Sequence, residues 1–323
     1  MVDLSGKTVL CTGGNGFIGS NFIDYVLENY SDVKIFNIDK RGIGSRDISE
    51  PKSNNIHYTE LKSDLRELWH MPILTSANYY GPYDYVFHFA AESHVDRSIN
   101  SPLEFISNNV IGMSSLLEYV RLYQSQARII NISTDEVFGH LNLKDPPFTE
   151  DSPIEPRSPY SASKASADLI AKAYHSTYNL DIITTRCCNN YGPWQHSEKF
   201  IPTVIRSINE GKKIPVYGNG SNIREWIHVD DHNKSILEIC EMGKSGESYN
   251  IGSGVEKTNL QLIQDILGTL KVSDDKSLND YIEFVDDRKG HDFRYALHSN
   301  LYNREFELTP YFKGLRETIQ HYS

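Results

Sequence analysis

The sequence predicts an α/β protein, a doubly wound parallel sheet with a smaller, interleaved C-terminal domain. The first half alternates short apolar runs with amphipathic stretches, as parallel strands joined by crossover helices do. Gly13, Gly16 and Gly19 lie where the first apolar run gives way to the first amphipathic stretch. After about Asn189 the pattern changes to Gly-, Pro- and Asn-rich turns with shorter elements. A chain of 323 residues is long enough for two domains of ordinary size.

Thr8–Thr12, Lys34–Ile38, Ile56–Glu60, Tyr85–Phe89, Arg128–Ser133 and Asp181–Arg186 are the predicted strands, apolar runs too short to be buried helices. The predicted helices are Gly16–Glu28, Ser101–Tyr123 and Tyr160–Tyr178. In the last, Leu169, Ile170 and Ala173 read as an inward stripe, while Lys164, Asp168 and Lys172 recur every four residues. Ahead of it, Pro146, Pro147, Pro153, Pro156 and Pro159 exclude regular structure. That segment is either a stiff loop over a site or a plain surface connection. Glu225–Cys240 and Ser248–Ile251 read as a return to the first domain. The expected division is therefore residues 1–188 with about 225–251 in one domain, and about 189–224 with 252–323 in the other.

A hydrophobic fraction of 39% with 23% charged residues is that of an ordinary globular protein. The formal charge of -11, with no basic run, argues against a nucleic-acid partner. Cys11, Cys187, Cys188 and Cys240 show no paired spacing, so no disulfide framework and no metal is expected. The chain enters a strand almost at once, and no later apolar run approaches the roughly 20 residues that span a bilayer. A cytoplasmic protein with no membrane association is expected.

The glycine spacing has a physical meaning in its strand-to-helix setting. The first glycine permits a tight turn, the second lets backbone approach a pyrophosphate, and the third lets helix pack on strand. Asp39 ends the next strand, where a carboxylate accepts hydrogen bonds from both adenosine ribose hydroxyls and repels a 2′-phosphate. A Rossmann-like domain binding NAD rather than NADP follows. The loop, Gly13, Asn15, Gly16, Phe17, Ile18 and Gly19, with Asp39 and Lys40 beyond it, resembles the extended branch of the short-chain dehydrogenase/reductase family. The resemblance adds Asp64 and Leu65, Ala90 and Ala91, and Ser93 to the expected cofactor contacts.

Tyr160 and Lys164 lie four apart on a predicted helix, which puts phenol and ammonium on one face. The ammonium is expected to lower the phenol's pKa towards neutrality and make it a base, so both residues join the catalytic set. Asp135 and Glu136 follow Thr134 at the carboxyl end of a parallel strand, where open sheets place their ligands. Oxidoreduction by a tyrosine base needs no such pair. The pair implies a second chemical step.

Thr134-Asp135-Glu136 resembles the signature of nucleotide-sugar 4,6-dehydratases, particularly the dTDP-glucose group. So do the segments Ala91–Ser98, Tyr160–Lys164, Asn189–Pro193 and Asp287–Asp292. The resemblance implies that Tyr160, helped by Thr134 and held by Lys164, takes the C4 hydroxyl proton while hydride leaves for NAD. Glu136 then removes the C5 proton, Asp135 protonates the departing C6 hydroxyl, and hydride returns to C6. C5 can be reprotonated on either face. NAD is thus regenerated within each turnover. The same resemblance implies substrate contacts at Ser93, Thr134, Asn189, Lys199, Tyr217, Arg224, Asn259, Arg288 and His291. It also implies a homodimer in which the Ser101–Tyr123 and Tyr160–Tyr178 helices form a four-helix bundle. Nucleotide (dTDP or UDP) and sugar (glucose or N-acetylglucosamine) stay open, as do a 4-epimerase or decarboxylase of the same fold and a catalytically silent NAD-sensing protein.

Overall fold

The computed structural model describes residues 1–48, 57–70, 82–272, 277–299 and 306–323. Six strands appear in chain order before residue 188: β1 (Thr8–Thr12), β2 (Lys34–Asp39), β3 (Tyr58–Lys62), β4 (Tyr85–His88), β5 (Arg128–Thr134) and β6 (Ile182–Cys187). Three short ones follow: β7 (Asn189–Tyr191), β8 (Ile214–Tyr217) and β9 (Ile223–His228). β10 (Ser248–Ile251) then joins the first six in a seven-stranded sheet of order β10-β6-β5-β4-β1-β2-β3. Every pairing in it is parallel. Strand order reverses between β1 and β4, and the carboxyl ends at such a reversal form a crevice. The third strand lies two residues later than expected, and Ile56 falls outside the described residues.

Helices cover both faces, as an all-parallel sheet requires. On one face Phe22, Ile23 and Val26 of the Phe17–Asn29 helix share a core with Ile236, Leu237 and Ile239 of the Val229–Met242 helix. On the other, Met113, Leu116, Leu117 and Val120 pack with Ala167 and Ala171. A third core, with Tyr191, Ile201, Trp226, Leu262, Ile282 and Leu315, lies in the C-terminal part. There β11 (Glu256–Thr258), β9 and β7 make a three-stranded sheet, and β12 (Ile282–Val285) pairs with β8. β9 belongs to this smaller sheet, and the Val229–Met242 helix that follows it packs against the large one.

Two helix readings change. The segment expected as one helix from Ser101 begins at Pro102 and contains a π-helical turn, Ile106–Ile111. The turn carries buried Asn109, whose Oδ1 accepts from the Glu92 N–H and whose Nδ2 donates to the Glu92 carbonyl and to Ser163. Such bulges re-aim one side chain without ending the helix. In the Pro159–Tyr178 helix the expected inward stripe divides: Ile170 is half-buried against the core, whereas Leu169 is 58% exposed and Ala173 is exposed too. Lys164 and Asp168 take the inward face instead, because partners on β5 and β6 satisfy their charges there.

The proline-rich segment is ordered. The Phe148 N–H donates to the Ala296 carbonyl, the Phe148 carbonyl accepts from His298, and the Glu155 N–H donates to Val137. Gly139 turns with φ +87°, and a Cβ there would stand 2.3 Å from the Glu155 carbonyl oxygen.

Candidate active site

A cleft of about 310 Å³ opens at the carboxyl ends of the strands, where their order reverses. Its floor is backbone against backbone. Gly13 has φ +70°, and a Cβ there would lie 2.5 Å from the Ala90 N and Cα, so the turn after β1 touches the end of β4. Gly19 brings the first helical turn against the same loop, since its Cβ would meet the Gly13 carbonyl oxygen at 2.6 Å. Gly16 is less constrained by the fold, with only the Gly13 oxygen at 3.3 Å, and it faces the cleft. The Phe17–Asn29 helix starts there with no side-chain cap and no acidic residue in its first turn, leaving a positive helix end aimed at the cleft.

Asp39 sits beside this loop, its Oδ2 accepting from the Asn15 N–H at 2.9 Å and its Oδ1 from the Arg41 N–H at 2.7 Å. Ser45 Oγ also donates to Oδ1, at 3.5 Å, so Oδ2 is the oxygen that keeps a lone pair for a further donor. Of the expected cofactor residues, all line the cleft except Asn15. The Asn15 side chain is buried, donating to the Arg46 carbonyl and accepting from Asn37, so it braces the loop from behind. Lys40 bridges the cleft's end, with Nζ 2.6 Å from Glu92 Oε1 and 2.8 Å from Asn108 Oδ1. Asp64 is clamped by both arms of the Arg66 guanidinium, which holds its carboxyl below the usual range.

Thr134, Asp135, Glu136, Tyr160 and Lys164 all line one wall. β5 ends at Thr134, whose hydroxyl caps the following turn by accepting from the Glu136 N–H and donates to Asp135 Oδ1 at 3.2 Å. Ser158 and Ser161 form a capping box that starts the Pro159–Tyr178 helix with Tyr160 in its first turn. Lys164 is 4% exposed and donates to the Ile132 carbonyl at 2.8 Å. Burial, then the Glu136 carboxylate, pushes the Tyr160 phenol well above its ordinary value. The lowering expected from Lys164 is therefore outweighed, because desolvation opposes phenolate. Burial likewise lowers Lys164, with Asp168 opposing.

The two acids differ. Asp135 is buried, and desolvation, with Glu136 and Glu225 nearby, raises its pKa well above the usual range. Its Oδ2 has no hydrogen-bond partner among the described residues. Glu136 is also raised by desolvation, but Arg288, Arg224 and Lys199 pull it down. Asp135 is thus the group favoured to hold a proton and Glu136 the one favoured to lose it.

The expected substrate residues divide. Ser93, Thr134, Asn189 and Lys199 line the cleft, Lys199 donating to the Ser93 carbonyl at 2.8 Å. Tyr217, Arg224, Asn259, Arg288 and His291 do not. Arg224 is 7% exposed, stacks on Tyr295 at 4.5 Å and donates to the carbonyls of Ile223, Asp292 and Phe293. Tyr217 donates to Asp96 and packs edge-on to His291, which holds Asp287. Asn259 opens the Asn259–Thr269 helix, its N–H bonded to the Asn222 carbonyl. Burial and the two arginines lower His291 to about 4.

A family model described as GDP-mannose 4,6 dehydratase matches residues 10–319. The chain belongs to this family. It is 40% identical to the dTDP-glucose 4,6-dehydratase of Haemophilus influenzae over 332 residues, 97% of each chain. It is 45% identical over 290 residues to the low-salt glycan biosynthesis protein Agl12 of Haloferax volcanii, covering 90% of this chain and 89% of that one. The crystal structure of DesIV, a dTDP-glucose 4,6-dehydratase from Streptomyces venezuelae with NAD and TYD bound, matches with TM-score 0.88 and 38% identity over 98% of this chain and 96% of that one.

Several cleft residues escape the sequence reading: Gly42–Ser45, Glu92, His94, Arg97, Gln195 and His196. Glu92, His94 and Arg97 stand inside the family-like Ala91–Ser98 segment, and that was the signal available for them. The loop at 42–45 carried none, since its place depends on a remote contact: a Cβ on Gly44 would lie 2.7 Å from the His196 ring. Gly14 also escapes that reading, and a Cβ there would fall 2.3 Å from Asn37 Oδ1.

Proposed function

We propose that this protein is an NAD-dependent nucleotide-sugar 4,6-dehydratase, with dTDP-glucose as its first substrate to test. The observation that carries the reading is one wall holding Thr134, Asp135, Glu136, Tyr160 and Lys164, with its two acids in unlike electrostatic surroundings. The identity to dTDP-glucose 4,6-dehydratases over nearly the whole chain supports it.

The residues fit NAD. The uncapped helix start and the open face of Gly16 suit a pyrophosphate, and Asp39 suits ribose hydroxyls. When bound, NAD supplies a hydride acceptor that returns the hydride. Tyr160 takes the C4 hydroxyl proton, with Thr134 orienting that hydroxyl and Lys164 adding the positive field that favours phenolate. The 4-ketone acidifies C5. Glu136 removes the C5 proton, and Asp135, kept neutral by burial, donates its proton to the departing C6 hydroxyl. Lys199, with Arg224, Arg288 and His291 behind the cleft surface, supplies the positive field for a diphosphate, while Asn189 orients the sugar and Tyr217 lies towards the base.

The division of labour we infer gives the cofactor to residues 1–188 with about 225–251, and the nucleotide sugar to about 189–224 with 252–323. A homodimer is supported by the exposed apolar side chains Leu103, Ile106, Ile111 and Leu169 on the two neighbouring helices, a surface worth covering with a second copy. Four free, buried cysteines suit a reducing cytoplasm. Among the described residues no helix is long and apolar enough to cross a membrane.

Incubation with dTDP-glucose, UDP-glucose and UDP-N-acetylglucosamine, read by mass spectrometry and product NMR, tests the reading. Loss of one water to a 4-keto-6-deoxy product is expected, and an isomer of unchanged mass with any substrate overturns it in favour of epimerisation. In Glu136→Gln, C4 oxidation should persist with little water loss. Full dehydration by that variant removes Glu136 from its role.

A further inference from the structure

The Pro159–Tyr178 helix is tied to β5 at two successive residues. Lys164 Nζ donates to the Ile132 carbonyl at 2.8 Å, and Asn131 Nδ2 donates to Asp168 Oδ1 at 3.1 Å. Asp168 lies one helical turn beyond Lys164 on the same inward face, and it is 5% exposed. Its other oxygen accepts from Arg186 Nε of β6 at 3.1 Å. Arg186 is 7% exposed and stacked over Phe138 at 5.1 Å. Three adjacent elements thus meet on one carboxylate. The strand it grips at Asn131 ends three residues later at Thr134, where the Thr134–Glu136 segment begins.

We propose that Asp168 is a positioning residue: with Asn131 and Arg186 it sets the helix bearing Tyr160 and Lys164 against the strand bearing Thr134, Asp135 and Glu136, and it places a carboxylate one helical turn from Lys164 on the same buried face. The inference rests on the dehydratase reading for what Lys164 does. It adds a charge relation that neither the spacing of Tyr160 and Lys164 nor the family motifs specify.

Among the described residues Lys164 has one hydrogen bond, to a neutral carbonyl, and its side chain is buried. A buried ammonium so placed loses its proton readily unless an anion faces it. The groups facing it are Tyr160 and Asp168 on its own helix, Cys187 on β6 and His88 on β4, with Asp135 and Glu136 at the end of β5. Cys187 and His88 are both held neutral by burial, the histidine at about 3. Asp135 and Glu136 are the acids the reaction itself protonates and deprotonates. Among the described residues around Lys164, Asp168 is the carboxylate outside that chemistry, and it is the first group to oppose the effect of burial on Lys164. Arg186 holds Asp168 in turn, and both line a second cavity with Glu150, Asp151, Lys172, His175 and Glu247.

The test compares the pH dependence of kcat for dehydration in the wild-type protein, Asp168→Asn and the double variant Asp168→Asn/Arg186→Gln, with NAD content and thermal unfolding alongside. Removing the anion lowers the Lys164 pKa, so the ammonium is lost at lower pH, and the alkaline limb of kcat moves down by about one pH unit. Asp168→Glu, which keeps the charge, should restore the limb. The double variant removes Asp168 together with its Arg186 partner, so no guanidinium is left unpaired, and its limb should move in the same direction if the single variant does not fold. A limb that stays in place in a folded, NAD-loaded variant, with only the unfolding temperature reduced, overturns the inference. A wild-type protein that removes no water from any sugar nucleotide overturns the functional reading instead.

Discussion

One strand end and one helix carry the groups of the cleft wall made by β5 and the Pro159–Tyr178 helix, whereas the rim around residues 199, 217–224 and 288–291 gathers side chains from a helix start, two short strands and the turns between, held by side-chain pairing. On the wall, each reactive group occupies a fixed position on a strand end or a helical turn, and Lys164 and Asp168 are bonded to β5 within one turn of each other. On the rim, Arg224 spends its donors on backbone carbonyls, and Tyr217 and His291 bond to Asp96 and Asp287. In the proposed function the wall is the part that does the chemistry, and the rim the part that binds through a summed field. Truncation on the wall should therefore cost kcat, and truncation on the rim should cost KM.

Tyr160→Phe tests the wall most severely. The loss of the base should lower kcat about 10³-fold with KM nearly unchanged, and residual turnover within tenfold of wild type in stopped assays would show that another group takes the C4 proton. Gly13→Ala should come next. A Cβ 2.5 Å from two Ala90 backbone atoms, at φ +70°, forces β1 and β4 apart, so NAD content and unfolding temperature should both fall, the latter by roughly 5 °C or more. Unaltered NAD binding by calorimetry would mean that the loop can yield.

Lys199→Met, on the rim, should raise KM about tenfold with a smaller change in kcat. An equal fall in kcat would place Lys199 with the wall and blur the distinction. The smallest effect concerns stability alone. Because Asp135 is raised in the folded protein, its proton binding stabilises the fold fully below the ordinary aspartate pKa of about 4, and that stability is lost as pH rises through the folded value. Asp135→Asn escapes this loss, so it should unfold a few degrees higher than wild type at pH 7 and show no such advantage near pH 4. Calorimetric scans at the two pH values decide it, and an advantage that persists at low pH would trace to packing instead.

What the chain alone determined is what depends on local spacing. Strand and helix order, the glycine turn, Asp39 at the end of β2, and Tyr160 and Lys164 on one helical face follow from φ/ψ limits and from periods of about 2.0 and 3.6 residues. Those constraints act within a few residues, so they are written in the sequence. Tertiary structure decided what depends on approach between remote segments. It turned Leu169 outward and Asp168 inward, since Arg186 and Asn131 were there to receive the carboxylate. It placed Asn15 behind the loop, Arg224 behind the cleft surface and residues 42–45 at the cleft's edge. It also reversed the expected direction of the Tyr160 shift, because desolvation is a property of the assembled interior and no residue spacing specifies it.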